Sequence, residues 1–172
     1  MAASDEQLRS ELILDHLKRR QRSEEVVDIE EERVKIVIFS SGRNRYAFYG
    51  SSIREILSAC EISWVPSLPV YILGLISVRG DIESVIDIRY FLGEEREDLR
   101  KSHIAIVVCG DFHSGVLIDS IDDVVDIPVS EIEPPLSTLG GAVLDLVVGG
   151  IKHGGNTLAL LDIGKLASKI AL

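Results

Sequence analysis

A degenerate internal duplication constrains this chain more than any other feature in it. The stretch GLISVRGDIESVIDI, Gly74 to Ile88, superposes without gaps on GGIKHGGNTLALLDI, Gly149 to Ile163. Gly74 falls on Gly149, Ile76 on Ile151, Gly80 on Gly155, Asp87 on Asp162 and Ile88 on Ile163, at a constant offset (149 − 74 = 75). Upstream the match continues at a second offset (120 − 52 = 68), with Ser52-Ile53 on Ser120-Ile121, Glu55 on Asp123, Ile56 on Val124 and Pro66 on Pro134. Seven residues (75 − 68 = 7) therefore enter the second copy within PPLSTLGGAVLDLV. Two copies are too few for a stacked array, so the pattern implies one body made of two homologous halves.

Each half reads as a series of short strands. VKIVIFS, RYAFYG, ACEISWV, GLISVRG, DIESVIDI, HIAIVVCG, FHSGVLID, DDVVDIP, LVVGGIKH and TLALLDI are separated by clusters of Gly, Pro, Asn and Ser. Many short β-branched runs at close spacing predict a barrel or sandwich, about five strands to each half. Helix is confined to short connections and the ends. Asp87 before IRYFLG and Asp162 before IGKLASKI each mark a strand running into a helix, with the aspartate as the cap of the first free N–H groups. Alternation in DIESVIDI puts Ile82, Ile86 and Ile88 on one face and Asp81, Glu83 and Asp87 on the other. Gly80 and Gly155 serve turns, and HGGN, His153 to Asn156, reads as a hairpin turn.

The first 32 residues stand apart. They hold 5 basic and 10 acidic side chains, half of the chain's net charge of −10. Leu8, Leu12, Ile13, Leu14 and Leu17 have mostly helical spacing, Ser4 or Asp5 can cap the start, and KRRQR is followed by SEEVVDIEEER. Residues 1–33 are therefore expected to be a charged N-terminal extension, a short helix plus linker, ahead of a body spanning 34–172. Such a tail is either a solvated segment or a docking helix for another protein. An acidic chain repels phosphate backbones, which argues against nucleic acid as a partner. No apolar run reaches the roughly 18 residues of a membrane helix, and MAASDEQLRSEL lacks the apolar core of a signal peptide. A cytoplasmic protein without membrane insertion is expected, with Cys60 and Cys109 as reduced packing residues in strand-like contexts.

No catalytic constellation emerges. His16, His103, His113 and His153 have no metal spacing among them, and CxxC, GxSxG and a glycine-rich phosphate loop are all missing, so neither a metal nor a cofactor is expected. Asp87 and Asp162 are related by duplication, as the paired carboxylates of an aspartic protease are. That chemistry needs Asp-Thr/Ser-Gly loops, and the contexts here are VIDIR and LLDIG. Helix capping accounts for both residues, which leaves a hydrolase on an Asp87/Asp162 dyad as a remote alternative to a binding module. Arg79 is the exception to the repeat, because its counterpart is Gly154. It has two readings: an ion pair with a nearby acid such as Glu55 or Glu83, or a surface anchor for a protein partner.

The set YAFYGSSIREIL, WVPSLPVYILGLISVRGDIESVIDIRYFLG and GVLIDSIDDVVDIP resembles the CheW family, adaptor proteins of bacterial and archaeal chemosensory arrays. The resemblance runs from about Val34 to Ile170 and is strongest from Pro69 to Arg89. It implies a mostly β fold of two tandem five-stranded SH3-like β-barrels with short helical connections and a C-terminal helix. It also implies a non-enzymatic adaptor between chemoreceptor cytoplasmic tips and the regulatory domain of a CheA-type histidine kinase, recruited to membrane-associated receptor arrays. Carried over by matched motif, Ile53, Glu55, Ile56 and Arg79 fall on the receptor-binding surface, and Gly74 on a glycine implicated in kinase coupling. The chain departs from the family pattern in having Ser77-Val78 before Arg79-Gly80, Glu83-Ser84 where an apolar residue and proline are usual, and a long charged N-terminus. These departures suit a divergent adaptor serving a gliding, pilus or developmental pathway, or one that limits array assembly.

Overall fold

Nine of the ten runs become strands, and Ile53–Ser58, which lies in none of them, supplies a tenth, within residues 31–58, 61–95 and 102–170, the part of the chain that a computed structural model describes. In chain order these are β1 (Arg33–Ser41), β2 (Asn44–Tyr49), β3 (Ile53–Ser58), β4 (Ile72–Val78), β5 (Asp81–Asp87), β6 (His103–Cys109), β7 (Phe112–Ile118), β8 (Ser120–Pro128), β9 (Val147–His153) and β10 (Asn156–Leu161). Helices are short: α1 (Ile88–Leu92), α2 (Gly141–Leu144) and α3 (Ile163–Ile170). Arg33–Leu172 form one compact unit. The helix expected around Leu8 to Leu17, and Cys60, lie outside the described residues.

The strands form two five-stranded sheets with the same internal order. Sheet I runs β3-β6-β7-β5-β4 and sheet II runs β8-β1-β2-β10-β9. The duplication extends to register. Ile53 faces Val107 in sheet I, and Ile121 faces Phe39 in sheet II, both pairs related by the same offset (121 − 53 = 68; 107 − 39 = 68). The register shift at Ile53/Glu55 recurs at Ile38/Phe39, and that at Ile72/Gly74 recurs at Leu160/Leu161. The parallel pairings β5 with β7 and β10 with β2 also correspond. The hairpin β1–β2 is thus the counterpart of β6–β7, and it completes the sheet of the second copy. Sheet I is built of five consecutive strands, β3 to β7, whereas sheet II joins the N-terminal hairpin to β8, β9 and β10 far along the chain.

Apolar side chains pack in three groups. Ile76, Val78, Val85, Ile104, Ile106 and Leu117 fill sheet I, and Ile36, Ile38, Ala47, Ile151, Leu158 and Leu160 fill sheet II. Between the sheets lies the largest group, with Phe39, Phe48 and Leu161 from sheet II against Ile86, Val107 and Ile118 from sheet I. Burying each such side chain contributes about 1.5–3 kcal/mol, so the shared group binds the two sheets into one core. Polar contacts reinforce it. Glu94, just after α1, accepts hydrogen bonds from Ser41, Asn44 and Tyr46 in the β1–β2 hairpin, and Arg89 pairs with Asp119.

Several local expectations change. ACEISWV is not a strand in its described part: Ser63 makes a single two-bond bridge to Leu75, and Trp64 beside it is exposed. The equivalent bridge joins Glu133 to Gly150, so two of the seven inserted residues precede Glu133 (133 − 63 = 70), and Pro134 does not stand opposite Pro66. In β5 the alternation is inverted, with Ile82 exposed and Glu83 buried. Ile82 shares a face with Ile86, but it stands at the hairpin end, where the inter-sheet core has ended, whereas Glu83 shares the barrel-facing side with Val85. Cys109, at the end of β6, is exposed and not a packing residue.

Candidate functional site

The hairpin between β4 and β5 turns on Arg79 (φ 53°) and Gly80 (φ 96°), and that between β9 and β10 on Gly154 (φ 56°) and Gly155 (φ 79°). Two consecutive positive φ angles are what a two-residue hairpin turn requires. Glycine is the easy residue at the first position, and Arg79 occupies it against an intrinsic preference of about 1–2 kcal/mol. Its guanidinium donates to Glu55 of β3 at 3.2 Å while the side chain stays 82% exposed. The expected ion pair thus forms with Glu55. Glu83 lies elsewhere, 3.5 Å from Arg54 and 3.2 Å from Nδ1 of His113.

The pair has a structural setting. β3 and β4 are the two free edges of sheet I, and Arg79 reaches from the β4–β5 turn to β3 across the opening between them. Sheet II closes the same opening with His153 of β9, whose Nε2 lies 2.8 Å from Asp123 of β8, the counterpart of Glu55. The other nitrogen, Nδ1, lies 3.4 Å from Arg45. A carboxylate only accepts and a guanidinium only donates, so this histidine donates from Nε2 and accepts at Nδ1, as the neutral ring can. The hydrogen bond from His153 holds the Asp123 carboxyl below the usual carboxylate range. Both halves therefore use a base near the hairpin tip to hold the edge strand. Only sheet I uses an exposed arginine at a strained turn position.

Of the residues singled out by resemblance, Glu55 and Arg79 meet, with Arg54, Val78 and Asp81 lining the same shallow cleft. Ile53 is half-buried against the inter-sheet core. Ile56 is exposed on the face of β3 opposite Glu55. Gly74 lies five residues before Arg79, about 16 Å away along an extended strand. A β-carbon on Gly74 would meet the carbonyl oxygen of Ser63 at 2.3 Å, and its φ is +148°. Gly149 meets the same crowding, from Ile132 at 2.7 Å and Glu133 at 2.9 Å. Gly74 is thus required by the bridge that ties the preceding loop to each sheet. Asp87 accepts from the N–H of Arg89 at 3.1 Å and Asp162 from that of Lys165 at 2.8 Å, so each carboxylate caps its own helix at the end of a different sheet.

Arg54 carries no motif that singles it out in the sequence, and the structure joins it to Glu83 and His113, whose pairing their spacing does not reveal. Charges run Arg79, Glu55, Arg54, Glu83, His113, with contacts of 3.2, 3.6, 3.5 and 3.2 Å. The signal for it was a charged residue at position 83 opposite Leu158 in the duplication. Among the described residues no three His, Cys, Asp or Glu side chains gather as a metal site, and no helix is long and apolar enough to cross a membrane.

The model of the CheW-like domain matches residues 35–171. A chemotaxis protein CheW from Treponema pallidum is 26% identical over 145 residues, covering 81% of this chain and 85% of that protein. Protein FrzA from Myxococcus xanthus is 32% identical over 133 residues, covering 74% and 81%. Among solved structures, the scaffolding protein TtCheW from Thermoanaerobacter tengcongensis superposes with a TM-score of 0.67 at 28% identity, covering 76% of this chain and 90% of that one. With residues 35–171 matched by the family model, the chain belongs to the CheW-like domain family, whose members include chemotaxis adaptors and scaffolds.

Proposed function

We propose that this protein is a non-enzymatic adaptor that couples the cytoplasmic tips of chemoreceptors to the regulatory domain of a CheA-type histidine kinase. It works in the cytoplasm, recruited to receptor arrays, without cofactor or metal. Ile53, Glu55, Ile56 and Arg79 form the receptor surface, and kinase coupling lies toward Gly74. The observation that carries this reading is Arg79, kept at a left-handed turn position with its guanidinium almost fully exposed, where the second copy has glycine. Strain retained at a surface position favours a role beyond folding.

The test is calorimetry of the protein with a kinase regulatory domain and with a receptor-tip fragment, separately and together. Binding of each alone and of both at once supports coupling, and binding of neither ends the reading. A second reading, a divergent adaptor serving a gliding, pilus or developmental pathway or limiting array assembly, is favoured by Glu83 and Ser84 and by the 32% identity to FrzA, a relative not named for chemotaxis. Binding of one partner that excludes the other points to the limiting role.

A further inference from the structure

Glu83 holds a place that the duplicated fold gives to an apolar residue. Its counterpart Leu158 (158 − 83 = 75) is 5% exposed inside sheet II, and Glu83 is 3% exposed inside sheet I. One carboxylate oxygen of Glu83 lies 3.5 Å from Arg54 and the other 3.2 Å from His113. The counterparts of those two bases are Asp122 and Arg45 (122 − 54 = 68; 113 − 45 = 68), which pair directly at 2.9 Å. Three positions have thus changed together. In sheet II an acid and a base satisfy each other beside a leucine. In sheet I two bases occupy those positions, and an acid replaces the leucine between them. A carboxylate in a barrel core is disfavoured unless partnered, and an apolar residue of similar size is often as good or better for stability. Packing alone gives no reason to keep it.

Arg54 is shared. Its guanidinium lies 3.5 Å from Glu83 and 3.6 Å from Glu55, both longer than the 3.2 Å between Arg79 and Glu55. We propose that Glu83 is a positioning residue that sets the specificity of the Arg79 surface by sharing Arg54 with Glu55, so that Glu55 does not face the charges of both Arg54 and Arg79 alone. This rests on the adaptor reading above. The partner group addressed is an acidic side chain, since the exposed end of the chain of charges is a guanidinium. Without Glu83, Glu55 alone balances two guanidinium groups, Arg54 at one carboxylate oxygen and Arg79 at the other, and the cleft gains one positive charge. Glu83 therefore acts against indiscriminate binding of acidic surfaces, in the way that specificity often depends on an opposing element.

The variants are Glu83→Leu, Glu83→Gln, and Glu83→Leu combined with Arg54→Ala. Each is measured by calorimetry, at low and high salt, against a helical-hairpin fragment of a chemoreceptor tip from the same organism, with melting curves as control. Glu83→Leu should fold, because Leu158 fits the equivalent place and the side chains of Arg54 and His113 are 42% and 57% exposed, so water replaces the contacts they lose. Its affinity should rise about two- to five-fold, the range of a partly exposed charge pair, and depend more steeply on salt. Glu83→Gln should move the same way by less, and the added Arg54→Ala should cancel the gain. Replacing the acidic residues of the fragment by amides should abolish it. A folded Glu83→Leu that binds as the parent does, or more weakly, overturns the proposal, and Glu83→Gln decides the matter if the leucine variant does not fold. A partner-free measurement keeps the two readings apart: the Arg54 Nη2 protons, which face Glu83, should exchange more slowly in the parent than in Glu83→Gln. No change there ends the positioning role, whereas a parent protein that binds no receptor tip ends the adaptor reading and with it the specificity role.

Discussion

Arg79→Gly and Arg79→Ala separate the shape of the β4–β5 turn from the chemistry of its side chain. Holding a non-glycine residue at φ 53° costs roughly 1–2 kcal/mol. Glycine removes that strain but adds about 0.5–1 kcal/mol of unfolded-state freedom. Both variants lose the pair with Glu55, which at such exposure contributes at most about 1 kcal/mol. The glycine variant should therefore lie within about 1 kcal/mol of the parent. The alanine variant should be less stable than the glycine variant by about 0.5–1 kcal/mol, since it keeps the strain and loses the pair. Urea denaturation with matched slopes resolves that difference, which corresponds to a few degrees in melting temperature. Receptor-tip binding should fall by about 1–3 kcal/mol in both, because both lack the guanidinium. An alanine variant as stable as the glycine variant would refute the account of the turn. Parent-like receptor binding by the glycine variant would refute the anchoring role.

Gly74→Ala should destabilise the body by about 2 kcal/mol or more and Gly149→Ala by a similar amount, because each β-carbon meets a carbonyl of the bridging loop and must displace it; denaturation of both variants, with kinase binding measured on the folded fraction only, checks this. Asp162→Ala should cost about 1 kcal/mol and Asp162→Asn little, since asparagine also caps α3; an asparagine variant as unstable as alanine would show that charge, not capping, is at stake. Asp123 should titrate below the ordinary aspartate value of about 3.9. A lowered carboxylate pKa means its contribution is present above the unfolded value and fades as pH falls through the folded one, so carboxyl NMR should show the Asp123 midpoint rising in His153→Ala.

The grouping of strands in fives and the capped helices after Asp87 and Asp162 were legible in the sequence, because they rest on local signals: β-branched runs, turn residues and a repeated aspartate; β3 was not, because Arg54 and Glu55 interrupt its apolar run. The exchange of hairpins was not. VKIVIFS and HIAIVVC are counterparts at the same 68-residue offset, but both are plain apolar runs, and only long-range pairing reveals that β1–β2 belongs with the later strands. The faces of β5 were misjudged for a related reason. Alternation says which residues share a face, and Ile82 fails only because its face runs out of core at the hairpin end. Arg79 was recognised as exceptional by comparison with Gly154, yet the positive φ that makes arginine costly there is invisible without the backbone.

The duplication also supplies an internal control for function. What the two copies share concerns the backbone: the glycines at 74 and 149, the turn glycines at 80 and 155, the capping aspartates and both register shifts. Among the many positions at which they differ, a linked set of charged ones lies at one end of sheet I. The start of β3 carries Arg54 against Asp122, the end of β4 and its turn carry Val78 and Arg79 against His153 and Gly154, the start of β5 carries Glu83 against Leu158, and the start of β7 carries His113 against Arg45. β5 and β7 are parallel, and β3 and β4 each run antiparallel to a neighbour, so these positions converge at the same end of the sheet. A set of charged positions that changed together, linked by contacts of 3.2 to 3.6 Å and ending on a strained, exposed arginine, is what a partner-facing surface built on one copy of a shared scaffold should look like.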